Sequence, residues 1–248
     1  DVNQTATSLA QAVGFIRRAV NLQPANEDLR QSLGDTESYV LGYQYFVGQN
    51  WAGAITSLGP LVESDPTYAA GNAEALLFEA LTAEGAQLAA MEDYEPALEI
   101  LLQAEALSEA NPANLARLFQ SQTQIGDLRG KMEAYQDAVN YYQSGLQALN
   151  ILDRLQELPE LFEKLGEANT FAGRRLYPEA LLSYQELVAA FDDEVYMVNE
   201  FDVISGGTLA LFAHEHFSTL DLVLRVNELP RQMVIAERQT LQFPMFEN

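Results

Sequence analysis

The stretch that decides the fold is Asn50-Trp51-Ala52-Gly53-Ala54-Ile55-Thr56-Ser57-Leu58, closed further on by Asp65-Pro66. Trp51, Ala54, Ile55 and Leu58 share one face of a helix, because side chains three and four apart line up at 3.6 residues per turn. The alanine lets a second helix approach closely, and the aromatic three residues earlier fills the space beside it. Gly42 stands twelve residues before Ala54, and Gly48-Gln49-Asn50 between them is turn-forming. Proline at 66 stops one helix and can start the next. The stretch therefore predicts two antiparallel helices joined by a tight turn.

Working outward, the same unit recurs. Ala12, Ala54, Ala97, Ala138 and Ala180 follow one another at steps of 42, 43, 41 and 42 residues. An aromatic precedes the last four by three positions: Trp51, Tyr94, Tyr135 and Tyr177. Leu9 takes that place in the first copy. A large residue follows each alanine by four: Ile16, Leu58, Leu101, Tyr142 and Tyr184. Gly42, Gly85 and Gly126 each lie twelve before their alanines; Gly166 lies fourteen before Ala180, which predicts a two-residue insertion in that copy. A glycine inside a helix costs about 1 kcal/mol relative to alanine, so its recurrence at one position points to a close helix crossing. The segment from Tyr68 to Met91 reads as one long helix.

The units Leu41-Gly42-x-x-Tyr45, Asn50-Trp51-x-x-Ala54-Ile55-x-x-Leu58 and Asp93-Tyr94-x-x-Ala97-Leu98-x-x-Leu101 resemble tetratricopeptide repeats. The resemblance covers residues 1–193 and implies a mainly α chain, an antiparallel helix-pair solenoid with a period of about 42 rather than the usual 34. HEAT-type repeats share that longer period; the aromatic-x-x-Ala signature favours the tetratricopeptide reading. A half repeat over 1–24 precedes four full repeats. The glycine of the first copy would fall before Asp1, so upstream sequence or another subunit is expected to cover the first helix.

After Phe191 the spacing stops, and Asp192-Asp193-Glu194 forms a charged break. Residues 194–198 read as a linker and 199–248 as a separate small domain. Phe201-x-Val203 reads as a strand, with Thr208 the N-cap of a helix carrying Leu209, Phe212, Ala213 and Phe217. Ser218 or Thr219 caps a second helix, and Gln239 to Pro244 reads as a closing strand. Phe201-x-Val203-x-x-Gly206-Gly207-Thr208-Leu209, Asn227-x-Leu229 and Gln239-x-Leu241-x-Phe243-Pro244 resemble a LysM domain, which implies a βααβ fold. The resemblance also implies binding of N-acetylglucosamine-containing glycans such as peptidoglycan or chitin. Gly206, Gly207, Thr208 and Leu209 would form one side of the groove, and Asn227, Leu229, Pro230 and Ile235 the other. The sequence departs from the family at Gly207, where an aspartate is usual, and at Arg238, where a turn glycine is usual.

Composition limits the function classes. The 248 residues carry a net charge of -23, which repels phosphate backbones and argues against nucleic-acid binding. There is no cysteine, so disulfides, thiolate nucleophiles and cysteine-held metals are excluded. No apolar run is long enough for a membrane span. The two histidines, His214 and His216, are two apart and do not share a helical face, so a metal pair there is not expected. No phosphate-loop or triad-like motif occurs, and no cofactor is expected.

These features predict a non-enzymatic interaction scaffold of the cell envelope or exterior. Its repeats would hold a protein or peptide, with Tyr39, Tyr43 and Tyr45 lining the groove, and its C-terminal module would hold a glycan. The alternatives are a structural subunit of a homo-oligomer or filament assembling head-to-tail, and a cytoplasmic location.

Overall fold

A computed structural model describes residues 2–111, 114–149, 151–191, 195, 197–202, 208–229 and 240–245. The chain is mainly helical. Ten helices come first: α1 (Val2–Leu22), α2 (Glu27–Val47), α3 (Trp51–Ser64), α4 (Asn72–Ala90), α5 (Tyr94–Ala110), α6 (Leu115–Lys131), α7 (Tyr135–Ala148), α8 (Leu152–Gln156), α9 (Pro159–Gly173) and α10 (Tyr177–Ala189). Then follow β1 (Met197–Asp202), α11 (Leu209–Glu215), α12 (Leu220–Val226) and β2 (Thr240–Met245), the two strands pairing with each other. The first strand starts at Met197, inside the stretch read as linker. No helix among the described residues is long and apolar enough to cross a membrane.

The described residues group into two compact units. One holds 2–81 with 202, 208–212 and 240; the other holds the described part of 82–201 with 213–229 and 241–245. The C-terminal segment thus contributes to both.

The first unit contains the pair α2 and α3. A Cβ on Gly42 would lie 2.5 Å from Leu58 Cγ, so the glycine is what lets Leu58 seat against α2. Asn26 and Asn50 cap the two helices, their side-chain oxygens accepting from the backbone N–H of Leu29 and Gly53 at 3.1 Å. Before α4 the chain makes a 3₁₀ turn over Tyr68–Gly71 with Ala69 and Ala70 at φ 54° and 58°. The long helix expected from Tyr68 therefore begins at Asn72, because left-handed backbone cannot continue a right-handed helix.

The second unit repeats this crossing. A Cβ on Gly85 would meet Leu101 at 2.5 Å, and one on Gly126 would meet Tyr142 at 2.7 Å. In each pair the small residue and the large one are sixteen apart. In the last pair, α9 with α10, the residue at that spacing is Ala168, fully buried sixteen before Tyr184. A Cβ on Gly166 would meet nothing within 4 Å. The expected insertion is thus absent: alanine, not glycine, occupies the crossing, and the register runs through unchanged.

The joining turns are also copies. Gln49, Glu92, Glu133 and Arg175, each five before its alanine, have φ between 56° and 64°. In each, that residue's N–H bonds a carbonyl three back, and the next N–H reaches five back, as in Glu92 N to Ala89 O at 3.4 Å and Asp93 N to Leu88 O at 3.0 Å. This left-handed closure satisfies carbonyls that the helix end leaves open. The large core of this unit joins α6, α7, α9 and α10 through Phe119, Tyr142, Leu165, Tyr184 and Leu187, and it includes Leu222 of α12.

Polar groups tie the last two pairs together. The Tyr142 hydroxyl donates to the Asp127 carboxylate, which also accepts from Gln185 Nε2 at 2.8 Å. The Tyr184 hydroxyl donates to Asn169 Oδ1 at 2.6 Å and accepts from Gln143 Nε2 at 2.8 Å. Each tyrosine occupies the same repeat position, and their rings stack 6.2 Å apart. Burial, with the Asp127 carboxylate beside it, pushes the Tyr142 phenol far above its ordinary range.

Candidate functional site

The three tyrosines expected to line a common groove are not brought together. Tyr39 and Tyr43, one turn apart on α2, both point into the core, at 7% and 2% exposure. Tyr45 is half-buried and lies against Gly53, whose Cβ would sit 2.8 Å from its ring. Residues two apart leave a helix in different directions, so Tyr45 alone of the three keeps an open side.

Tyr39 belongs to a buried polar chain in the first unit. Its hydroxyl accepts from Asn72 Nδ2, and its ring packs on Tyr68 at 5.6 Å. The Tyr68 hydroxyl donates to Thr36 Oγ1 at 3.2 Å, and Thr36 Oγ1 donates to the Ser32 carbonyl at 2.7 Å. Burial pushes the Tyr39 phenol up to about 12 and raises that of Tyr43 as well. The Tyr43 hydroxyl has no hydrogen-bond partner among the described residues.

Thr208 enters the same chain. Its hydroxyl donates to Asn72 Oδ1 and accepts from the Leu211 N–H, both at 3.1 Å, so it caps α11 while fastening it to the residue that opens α4. Both Thr208 and Leu209 are 1% exposed. Both residues are thus enclosed, backbone and side chain alike.

Asn227 lies just past α12 and holds β2. Its Nδ2 donates to the Gln242 carbonyl at 2.7 Å and to the Val223 carbonyl at 2.8 Å, while its Oδ1 accepts from the Gln242 N–H at 2.8 Å. All three contacts are internal, so the side chain acts as a clamp between helix and strand. Leu229 is half-buried and closes the turn after α12 through its N–H to Leu224 O at 2.8 Å. Gly206, Gly207, Pro230 and Ile235, the remaining residues of the expected glycan groove, lie outside the described residues.

Two features escaped the sequence reading. Asn114 caps α6 through the Arg117 N–H and donates from Nδ2 to the Ser218 carbonyl at 3.1 Å, a contact spanning 104 residues. His216 stacks on Phe201 of β1 at 3.9 Å and lies 4.9 Å from Phe243 of β2. Its imidazole is held below the ordinary histidine range, chiefly by burial, with the neighbouring Glu215 opposing. The alternation of Phe201 and Phe243 with polar neighbours was the available signal for an aromatic face; nothing local marked His216 as its third member. Among the described residues no group of three or more His, Asp or Glu is placed to hold a metal.

The mainly helical architecture stands on these contacts, and comparison with known proteins adds no family to it: no family model matches the chain, and no curated protein matches its sequence.

Proposed function

We propose that the chain is a non-enzymatic interaction scaffold, a tetratricopeptide-type array whose C-terminal LysM-like segment attaches it to an N-acetylglucosamine-containing glycan at the cell envelope or exterior. The observation that carries this reading is the recurrence of one helix-pair unit, with the same crossing and the same turn, in α2–α3, α4–α5, α6–α7 and α9–α10. Arrays of this kind stack like units and so offer extended surfaces to a protein or peptide. The net charge of -23 favours a partner with basic character.

The glycan part rests on the order β1, α11, α12, β2, with both strands paired and Asn227 clamping helix to strand. With Thr208 and Leu209 enclosed, the described part of the groove offers a sugar face the apolar side chain of the half-buried Leu229. Because Leu222 belongs to the core formed by α6 to α10, the test uses the whole chain. The folded protein is mixed with insoluble peptidoglycan and with chitin, and the pellet is assayed. Retention on at least one of them, released by soluble N-acetylglucosamine oligomers, is expected. A folded chain that stays in the supernatant with both overturns the glycan reading and leaves the repeat array to be tested by its protein partner.

A further inference from the structure

Helix α4 is enclosed in a way its counterparts are not. Residues 72–82 are all buried, over about three turns, so every side of that stretch is covered. The helices that open the first and last pairs, α2 and α9, carry exposed residues along their length. A helix buried on all sides is ordinarily apolar on all sides. This one carries Asn72, Glu74 and Glu79, all buried. Asn72, Ala75 and Glu79 stand three and four apart and share one face. The sequence thus builds a polar face suited to water or to a partner, and the fold has closed it.

Thr208 lies on that face. Its hydroxyl donates to Asn72 Oδ1, and residues 208–212 fall in the same compact unit as residues 2–81. Leu209 and Ala210 beside it are buried as well. Asn72 is held from behind, its Nδ2 donating to the Tyr39 hydroxyl. One contact therefore hides two surfaces: the polar face of α4, and the two described residues expected on the first side of the glycan groove. The fastening is light. A neutral hydrogen bond nets only a modest stabilisation once water competes for its partners. Helix α11 is seven residues long, too short to persist alone in water. A segment so held opens locally while the helix pairs stay folded.

From the closed polar face and the Thr208 contact we infer that the head of α11 is a removable cover on α4, through which the array and the LysM-like segment mask each other. Glycan taken up at Thr208 and Leu209 then uncovers the polar face of α4 for the array's partner. The linkage is reciprocal, so a partner on α4 raises glycan affinity by the same factor. The uncovered face presents the Glu79 carboxylate, which suits a partner of basic character. The trigger rests on the glycan reading; the cover itself does not.

Thiol labelling of the whole chain tests it, since there is no native cysteine to interfere. Ala75→Cys reports the covered face of α4, and Ala54→Cys reports the α2–α3 crossing; both alanines are fully buried. Under native conditions Ala75→Cys is expected to react with a thiol reagent at least about tenfold faster than Ala54→Cys, whose labelling follows global unfolding. Asn72→Ala is expected to raise the ratio of the two rates about two- to tenfold, whereas Thr208→Ser, which keeps the hydroxyl, leaves it unchanged. Soluble N-acetylglucosamine oligomers are expected to raise the ratio as well, to a plateau. Equal labelling at the two positions overturns the inference, because α4 is then permanent core. So does a ratio indifferent to Asn72→Ala, or oligomers that bind the chain without changing it. Rapid labelling that responds to Asn72→Ala in a chain that binds no oligomer overturns the trigger together with the glycan reading, and leaves the cover standing.

Discussion

At the scale of single residues, what matters is whether a side chain has room. Gly42 and Gly85 are sixteen residues before a leucine that occupies the space their own side chains would need. Ala168 does the same work in the last pair, which is why a search for glycine alone misplaced that crossing at Gly166. Glycine and alanine are interchangeable in a spacing pattern; only the packing separates them. The tyrosines of α2 were separable by spacing: Tyr39, Tyr43 and Phe46 stand four and three apart on one buried face, while Tyr45 leaves the helix in another direction. Thr208, by contrast, was readable as a cap but not as the donor to Asn72, because no local rule reaches across 136 residues.

His216 gives a prediction at this scale. The folded chain holds its imidazole below the ordinary value of 6.5 by burial against Phe201 and Phe243. As pH falls through 6.5, the unfolded chain takes up the proton first, so the unfolded state binds more protons and stability falls. The contribution is complete above that pH and is lost as pH drops toward the folded value. The thermal midpoint is expected to decrease between pH 7.5 and pH 5.5, and His216→Phe, which keeps a ring in the stack, is expected to flatten that decrease. An equal slope in the variant would remove His216 as the cause.

At the scale of the element, the turns are the most uniform feature and the least optimised. Four non-glycine residues sit in the left-handed region at one repeat position, a conformation that costs an L-residue about 1–2 kcal/mol. Glycine would adopt it freely, although it also loosens the unfolded chain. Glu92→Gly and Glu133→Gly are each expected to raise stability by about 0.5–1 kcal/mol in urea titrations. Glu99→Gly, inside α5, is expected to lower it by about 1 kcal/mol. The sequence announced these turns through Gly48-Gln49-Asn50 and Glu92-Asp93, yet it could not show that the left-handed residue falls five before the alanine every time. The turn before α4, with Ala69 and Ala70 left-handed, was not legible at all, since two alanines in a row favour a helix.

At the scale of the molecule, the period near 42 residues was plain in the sequence because helix packing forces small and large residues into fixed register. The engagement of the C-terminal segment was not. It depends on Asn114 with Ser218, Thr208 with Asn72 and the burial of Leu222, which are contacts between residues far apart in the chain. The scaffold reading therefore rests on the repeated unit itself. Its most direct test is a pair of double-mutant cycles, one for Gly42→Ala with Leu58→Ala and one for Gly85→Ala with Leu101→Ala, read by urea denaturation. Each glycine substitution alone is expected to cost about 1–3 kcal/mol through overpacking. Trimming the leucine sixteen residues on removes that clash, so each double mutant is expected to be less destabilised than the sum of its singles by at least about 1 kcal/mol. Additivity within about 0.5 kcal/mol in both cycles would mean that the small and large residues do not meet, and would contradict a chain built from one recurring helix pair.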